Sequence, residues 1–264
     1  MKKKVLCIVQ ARNSSKRLPN KLLYKIKGYT LLEHLLFRLK KLNFKENLII
    51  ATTTNKKDLS ICKIAKKNKI TFFRGSEKNV LSRFYQCSKK HHGDIIIRIT
   101  ADCPLIDYTY IRKLLNFFQK NKYDYVNNIN IDSLPDGFSC EVFSFQCLGI
   151  ANKLVKKNFD KEHVTPFIWT NPKRFKIANI SYKNKRRFTK KVRLTLDYKE
   201  DLNLIEKVID NFYSKDKYFS LKKILVFLQK NKHLLNLNKK HLNLQTNRFH
   251  KKRNTFFKGR KIKL

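Results

Sequence analysis

The residues best suited to chemistry are concentrated in one loop near the start of this 264-residue chain. Ala11 to Lys21, reading ARNSSKRLPNK, follows an apolar run from Val5 and holds four cations and two serine hydroxyls. Guanidinium groups clamp phosphate oxygens in pairs, an ammonium acts as a point charge and loop N–H groups add donors, so the combination suits a triphosphate. It matches neither GxxxxGK[ST] nor GxGxxG, which argues against a P-loop ATPase and an NAD-binding enzyme. In a chain where lysine is everywhere, the same residues also read as a solvated basic loop.

Two carboxylates are candidates to complement those cations. Asp102 follows an expected strand ending at Thr100, and Pro104 prevents simple continuation, so its carboxylate is expected to project into the crevice above the sheet. A Mg²⁺ site needs one or two such oxygens, with water and substrate phosphates supplying the rest. The competing reading is a turn or capping Asp. Asp197 likewise closes an extended stretch, and its competing reading is the N-cap of the next helix, with Glu200 three residues on. No histidine is assigned to a metal. The six cysteines include no C-x-x-C pair, which points to free thiols in a reducing compartment, the cytoplasm.

The elements that must position these residues alternate. Strands are expected at Val5 to Ala11, Asn47 to Thr53, Ile70 to Arg74 and Asp94 to Thr100. Helices are expected near Thr30 to Lys41, Lys57 to Lys67, Asn79 to His91 and Tyr108 to Asn121. This is the grammar of βα units and a largely parallel sheet, and the loop after the first strand then opens onto the ligand crevice. Further on come extended candidates without intervening helices: Tyr125 to Ile129, Cys140 to Phe145, Lys176 to Tyr182 and Val192 to Leu196, with Ser133 to Gly137 as a turn. The sheet is therefore expected to become mixed or to carry a small β-rich insertion. Helices at Lys199 to Phe212 and Ser220 to Lys230 close the folded part.

Charge is the most unusual bulk property. The chain has 61 Lys and Arg against 19 Asp and Glu, a net +42. Residues 239–264 hold ten of the basic residues and no acid, yet +32 remains spread over the rest. A global excess of this kind, with only six Gly and one Trp, reads as compositional drift onto solvated faces, which argues against a nucleic-acid partner. Residues 1–235 are expected to form one domain and residues 236–264 a basic, flexible extension. No apolar run is long enough to span a bilayer.

Several segments together carry a resemblance. The Ala11 to Lys21 stretch is similar to the opening motif of the sugar cytidylyltransferases. IATTT at Ile50, FRGSEKNVLSR at Phe73, IRITADCPLID at Ile97, LPDGFSCEVFSF at Leu134, EHVTPFI at Glu162 and RLTLDYKEDL at Arg193 resemble, in the same order, the spore coat polysaccharide biosynthesis protein F branch, itself similar to the acylneuraminate and 3-deoxy-manno-octulosonate cytidylyltransferases. The resemblance covers residues 4 to 212. It implies an α/β fold: a Rossmann-like mixed, mostly parallel sheet flanked by helices, the nucleotide-diphospho-sugar transferase architecture.

It also implies roles. Ala11, Arg12, Ser15, Lys16 and Lys21 would hold CTP, and Asp102 and Asp197 would ligate Mg²⁺. Arg12, Lys21 and Asp102 would be catalytic. Thr52, Thr53, Arg74, Ser76 and Arg83 would fall on loops flanking base and ribose, and Asp136, Glu141, Glu162 and His163 would line the pocket of a small sugar acceptor, a sugar acid or related compound. The sequence departs from the pattern at Lys199, which stands for Pro, at Lys161 for Arg and at Asn20 for Gly; Asn20 matters only where a positive φ is needed. Two rivals are a glycosyltransferase, disfavoured because Asp102 is not part of a D-x-D pair, and a basic nucleic-acid-binding module. The sequence is silent about quaternary structure, although sheet enzymes of this size often form symmetric homodimers.

Overall fold

In the computed structural model, residues 3–43, 47–129, 133–182, 186–246 and 261–263 are described. The chain opens with β1 (Val5–Gln10) and, after the 11–21 loop, a short hairpin of β2 (Lys25–Ile26) and β3 (Tyr29–Thr30). It then alternates through α1 (Leu31–Lys40), β4 (Leu48–Thr53), α2 (Leu59–Lys67), β5 (Thr71–Gly75), α3 (Val80–Lys90), β6 (Ile95–Thr100) and α4 (Tyr108–Lys120). The β2–β3 hairpin has no counterpart in the sequence reading, and the other elements agree with it to within one or two residues at either end. Helix α1 shows why. Thr30 Oγ1 accepts from the Glu33 amide while Glu33 accepts from the Thr30 amide at 2.8 Å, a reciprocal cap, and Leu31, Leu32, Leu35, Leu36 and Leu39 are all buried.

The second half departs from expectation in two places. After β7 (Tyr125–Asn127) and β8 (Glu141–Ser144), three helices stand where none was expected: α5 (Phe145–Leu154), α6 (Asn158–His163) and α7 (Pro166–Thr170), before β9 (Ile177–Ser181). Gly149 and several large apolar residues blur the periodicity of α5, which is fixed instead by its cap, Ser144 Oγ accepting from the Cys147 amide at 3.1 Å. Helices α6 and α7 are too short to show a period at all. Nor do residues 192–196 form a strand; Leu194 N–H bonds Asp136 O and Leu196 N–H bonds Asp102 O, so the segment is tied to two loops rather than to a ladder. A short helix, α8 (Arg186–Thr189), precedes it, and α9 (Lys199–Phe212), α10 (Leu221–Lys230) and β10 (Lys261–Lys263) follow.

The strand order is β10-β9-β7-β8-β6-β1-β4-β5. β8 runs antiparallel to both neighbours, and every other pairing in this sheet is parallel, so the sheet is mixed as expected. Side chains alternate across it. Val5, Cys7 and Val9 of β1 face one core with α1, α4, α9 and α10, whereas Leu6 and Ile8 face the other with α3, α5 and α7. Arg38, 2% exposed, ties one layer together by donating to Ile106 O and Phe219 O. No helix among the described residues is long and apolar enough to cross a membrane.

The chain does not leave the domain at residue 235. Residues Lys232–Thr246 continue as 3-10 turns against α9, where Asn238 is 1% exposed and His241 stacks on Tyr198 at 3.9 Å. The larger part of the expected basic extension, residues 247–260 and 264, lies outside the described residues.

Candidate active site

Register places the site. In the parallel pair β1 and β6, Gln10 lies opposite Thr100, so the loop from Ala11 and the turn holding Asp102 leave the sheet side by side at its carboxyl edge. The antiparallel strand β8 begins at the same edge, with Glu141 opposite Arg98. Gly137 brings the third segment in: its φ is +101°, and a Cβ there would lie 2.6 Å from Leu194 O. Residues 193–197 are thereby packed directly against the 136–137 turn.

Lys21 joins these segments. Its ammonium donates to Leu196 O and to Asp197 Oδ1 at 3.1 Å, and lies 3.7 Å from Asp102 Oδ2. Asp197 also accepts from Arg17 at 2.6 Å and from Arg193 at 2.9 Å. Burial works to raise its carboxyl pKa, but Lys21, Arg17 and Arg193 outweigh that and hold it below the usual range. The capping alternative for Asp197 does not hold. Asp201, fully buried, accepts from the amides of Asp197 and Tyr198 at 3.0 and 3.1 Å, which leaves the Asp197 carboxylate to the cations.

Beside this cluster lies a cavity of about 460 Å³ lined by five of the expected site residues, Asp102, Asp136, Glu141, His163 and Asp197. Glu141 is 3% exposed and accepts from Tyr125 OH and Thr165 Oγ1, both at 2.6 Å, and from Arg98. Burial raises its carboxyl pKa, but Arg98, Thr165 and Tyr125 together draw it below the ordinary value. Val164, fully buried with φ +69°, turns the chain sharply between His163 on the cavity wall and Thr165 on Glu141. A β-branched residue in that region is strained.

The remaining expected residues are distributed less tightly. Arg12 pairs with Glu162 at 3.7 Å, linking the loop to α6. Ala11 is buried with its N–H on Ala51 O, Ser15 Oγ accepts from the Leu18 amide, and Lys16 is exposed. Of the group expected on loops, only Ser76 is on one. Thr52 and Thr53 end β4 with no exposure, Arg74 lies in β5 and Arg83 in α3, 1% exposed. β-branched threonines and a strand-paired arginine suit the parallel ladder, which explains the difference. Arg74 donates to Thr53 O and Thr54 O and Arg83 to Ser76 O, while Arg83 Nε and Nη2 have no partner. Burial, with Arg12 nearby, lowers the Arg83 guanidinium to about 10.

The cytidylyltransferase family profile matches residues 6–252. The chain belongs to the cytidylyltransferase family. It is a nucleotidyltransferase by that membership. It is 40% identical over 241 residues to an uncharacterized protein of Methanocaldococcus jannaschii, spanning 89% of this chain and 94% of that protein. It is 31% identical over 209 residues to the spore coat polysaccharide biosynthesis protein SpsF of Bacillus subtilis, spanning 76% and 85%. A cytidylyltransferase structure from Leptospira borgpetersenii superposes with a TM-score of 0.82 at 31% identity, over 89% of this chain and 97% of that one.

Four residues of this cytidylyltransferase's site escape a reading of the sequence. Arg17 is one of the four loop cations, and nothing in its sequence position shows that it reaches Asp197 and lies over the Tyr198 ring at 5.3 Å. Arg98 carried a signal, being the one charge in the strand IIIRIT. Arg193 and Asp201 lie in the quoted segment RLTLDYKEDL, but their spacing does not show the ion pair at 3.0 Å that joins them.

Proposed function

We propose that this cytidylyltransferase transfers CMP from CTP to a sugar hydroxyl in surface polysaccharide or glycoconjugate synthesis. The acceptor oxygen attacks the α-phosphorus in line and a new P–O bond forms. The bond to the β-phosphate breaks, pyrophosphate leaves with its electron pair, and the hydroxyl proton passes to solvent. Charge accumulates on the equatorial and departing oxygens, so the protein's task is positioning and electrostatic stabilisation. Arg12, Lys16 and Lys21 neutralise the triphosphate, and the wall around Asp136, Glu141 and His163 orients the acceptor. The name of the Bacillus subtilis relative, a spore coat polysaccharide biosynthesis protein, supports a sugar acceptor.

A single observation carries this reading: Lys21 reaches Asp197 at 3.1 Å and Asp102 at 3.7 Å, joining three distant stretches of chain. Both acids beside Lys21 offer carboxylate oxygens, the hard donors that a divalent ion takes when phosphates and water complete its shell. Asp102 and Asp197 would hold Mg²⁺, and the ion when bound would offset charge on the phosphate oxygens. Six buried free cysteines support a reducing, cytoplasmic setting. A thermal-shift screen of the four nucleoside triphosphates, with and without Mg²⁺, is expected to show selective stabilisation by CTP with Mg²⁺. Stabilisation by another nucleotide instead would overturn the donor assignment.

A further inference from the structure

The turns at Lys232–Thr246 reach the cavity through one aromatic ring. Tyr198 follows Asp197 on the cavity wall, and His241 lies flat against it, with ring centroids 3.9 Å apart and planes 6° from parallel. His241 is buried, and its Nε2 donates to Glu200 at 3.1 Å while Lys240 pairs with the same carboxylate at 2.6 Å. Lys240, the Glu200 amide and His241 bring that carboxyl from 4.5 down to about 2, so it stays ionised and fixes both residues on α9. The imidazole is therefore held in place before it meets the tyrosine, and the stack restrains Tyr198 from behind.

Arg17 depends on the same ring. Its side chain is 55% exposed, against 11% for Lys21, yet it lies over Tyr198 at 5.3 Å and donates to Asp197 at 2.6 Å. Burial tends to lower its guanidinium pKa, but Asp197 and Tyr198 outweigh that and hold it above the ordinary value. A guanidinium carries five N–H donors, so one held on Asp197 still presents a fork to phosphate oxygens. An arginine ordered before its ligand arrives loses less rotamer entropy on binding. Without a ring behind it, Tyr198 would be free to turn, and Arg17 would lose the surface that orders it.

We infer that His241 is a positioning residue for the triphosphate: by stacking on Tyr198 it keeps Arg17 in place at Asp197, which makes residues 232–246 part of the nucleotide site. The inference rests on the cytidylyl-transfer reading, and its test separates the two. Calorimetric affinities for CTP and for inorganic tripolyphosphate, both with Mg²⁺, are compared in the full-length protein. Tripolyphosphate reports on the loop without the base. Wild-type binding of tripolyphosphate but not CTP removes the donor assignment and leaves the inference to be decided on tripolyphosphate, whereas binding of neither defeats both.

His241→Ala is expected to weaken both ligands by about three- to tenfold, the scale of one aromatic pair. His241→Phe restores the stack and is expected to return both to within about twofold of the parent. Asn238→Ala is the control for stability alone, because it removes a donor from Arg193 and Asp201 in the same segment and leaves the stack on Tyr198 untouched. Unaltered affinity in His241→Ala, no recovery in His241→Phe, or an equal loss in Asn238→Ala overturns the inference. Should His241→Ala not fold, Tyr198→Leu and Tyr198→Phe make the same comparison from the cavity side: weaker binding by the leucine variant alone supports the inference, and equal binding by the two overturns it.

Discussion

At the level of single residues, Asp102 and Asp197 differ in how committed they are. Asp197 meets three cations, whereas the Asp102 side chain is 32% exposed on the cavity and has Lys21 at 3.7 Å as its ion-pair partner. Asp102→Ala is accordingly expected to lower the rate of pyrophosphate release by about a hundredfold or more while the melting temperature stays near that of the parent protein. Near-normal turnover at saturating Mg²⁺ would remove Asp102 from the ligand set. Residue-level legibility was uneven for a physical reason. Types that carry chemistry, such as Lys21, Asp102 and Glu141, are visible in sequence, but the partners that orient them come from far along the chain. Asn20 shows what is left out. Its φ of +54° makes it a left-handed position, which Asn tolerates, so the Gly-to-Asn departure is accommodated rather than neutral by default.

At the level of elements, the caps and supports lend themselves to measurement. Burial tends to raise the Glu33 carboxyl at the start of α1, but the Thr30 amide and hydroxyl, Lys67 and Asn68 bring it from 4.5 down to about 2. A carboxyl lowered in the fold contributes stability that is complete above its unfolded value and fades as pH falls from 4.5 toward 2. Glu33→Gln is expected to flatten that part of the pH–stability curve and to cost about 1 kcal/mol at neutral pH by denaturant titration. Behind the cavity, Asn238 donates to Arg193 O at 3.0 Å and to Asp201 Oδ1 at 2.8 Å, while His241 stacks on Tyr198. Asn238→Ala leaves those buried acceptors short of a donor, an expected loss of about 1–3 kcal/mol. Its effect on KM should fall on the sugar rather than on CTP, and equal effects on both would mean that the segment only stabilises the fold. The first four βα units were readable because caps, alternation and leucine spacing agree locally. Helices α6 and α7 were not, since six and five residues are shaped by packing rather than by pattern.

For the whole molecule, all six cysteines are free and buried, and burial pushes the thiols of Cys7 and Cys87 up to about 12. A thiol-reactive reporter is therefore expected to label the native protein very slowly and all six positions together on unfolding; fast labelling of one cysteine would reveal a local opening. The mixed sheet was legible as a whole because strands such as β1 bury both faces, whereas the place of β8 in the middle was not, since a reversed strand is paired by its position in the sheet and not by its own residues. The contact between Lys21 and Asp197 spans 176 residues. During synthesis, then, the basic loop emerges early, meets Asp102 and Glu162 along the way, and waits 176 residues from Lys21 for Asp197. A chain that ends before residue 197 would therefore carry Arg17 and Lys21 without the carboxylate that both of them reach in the finished fold.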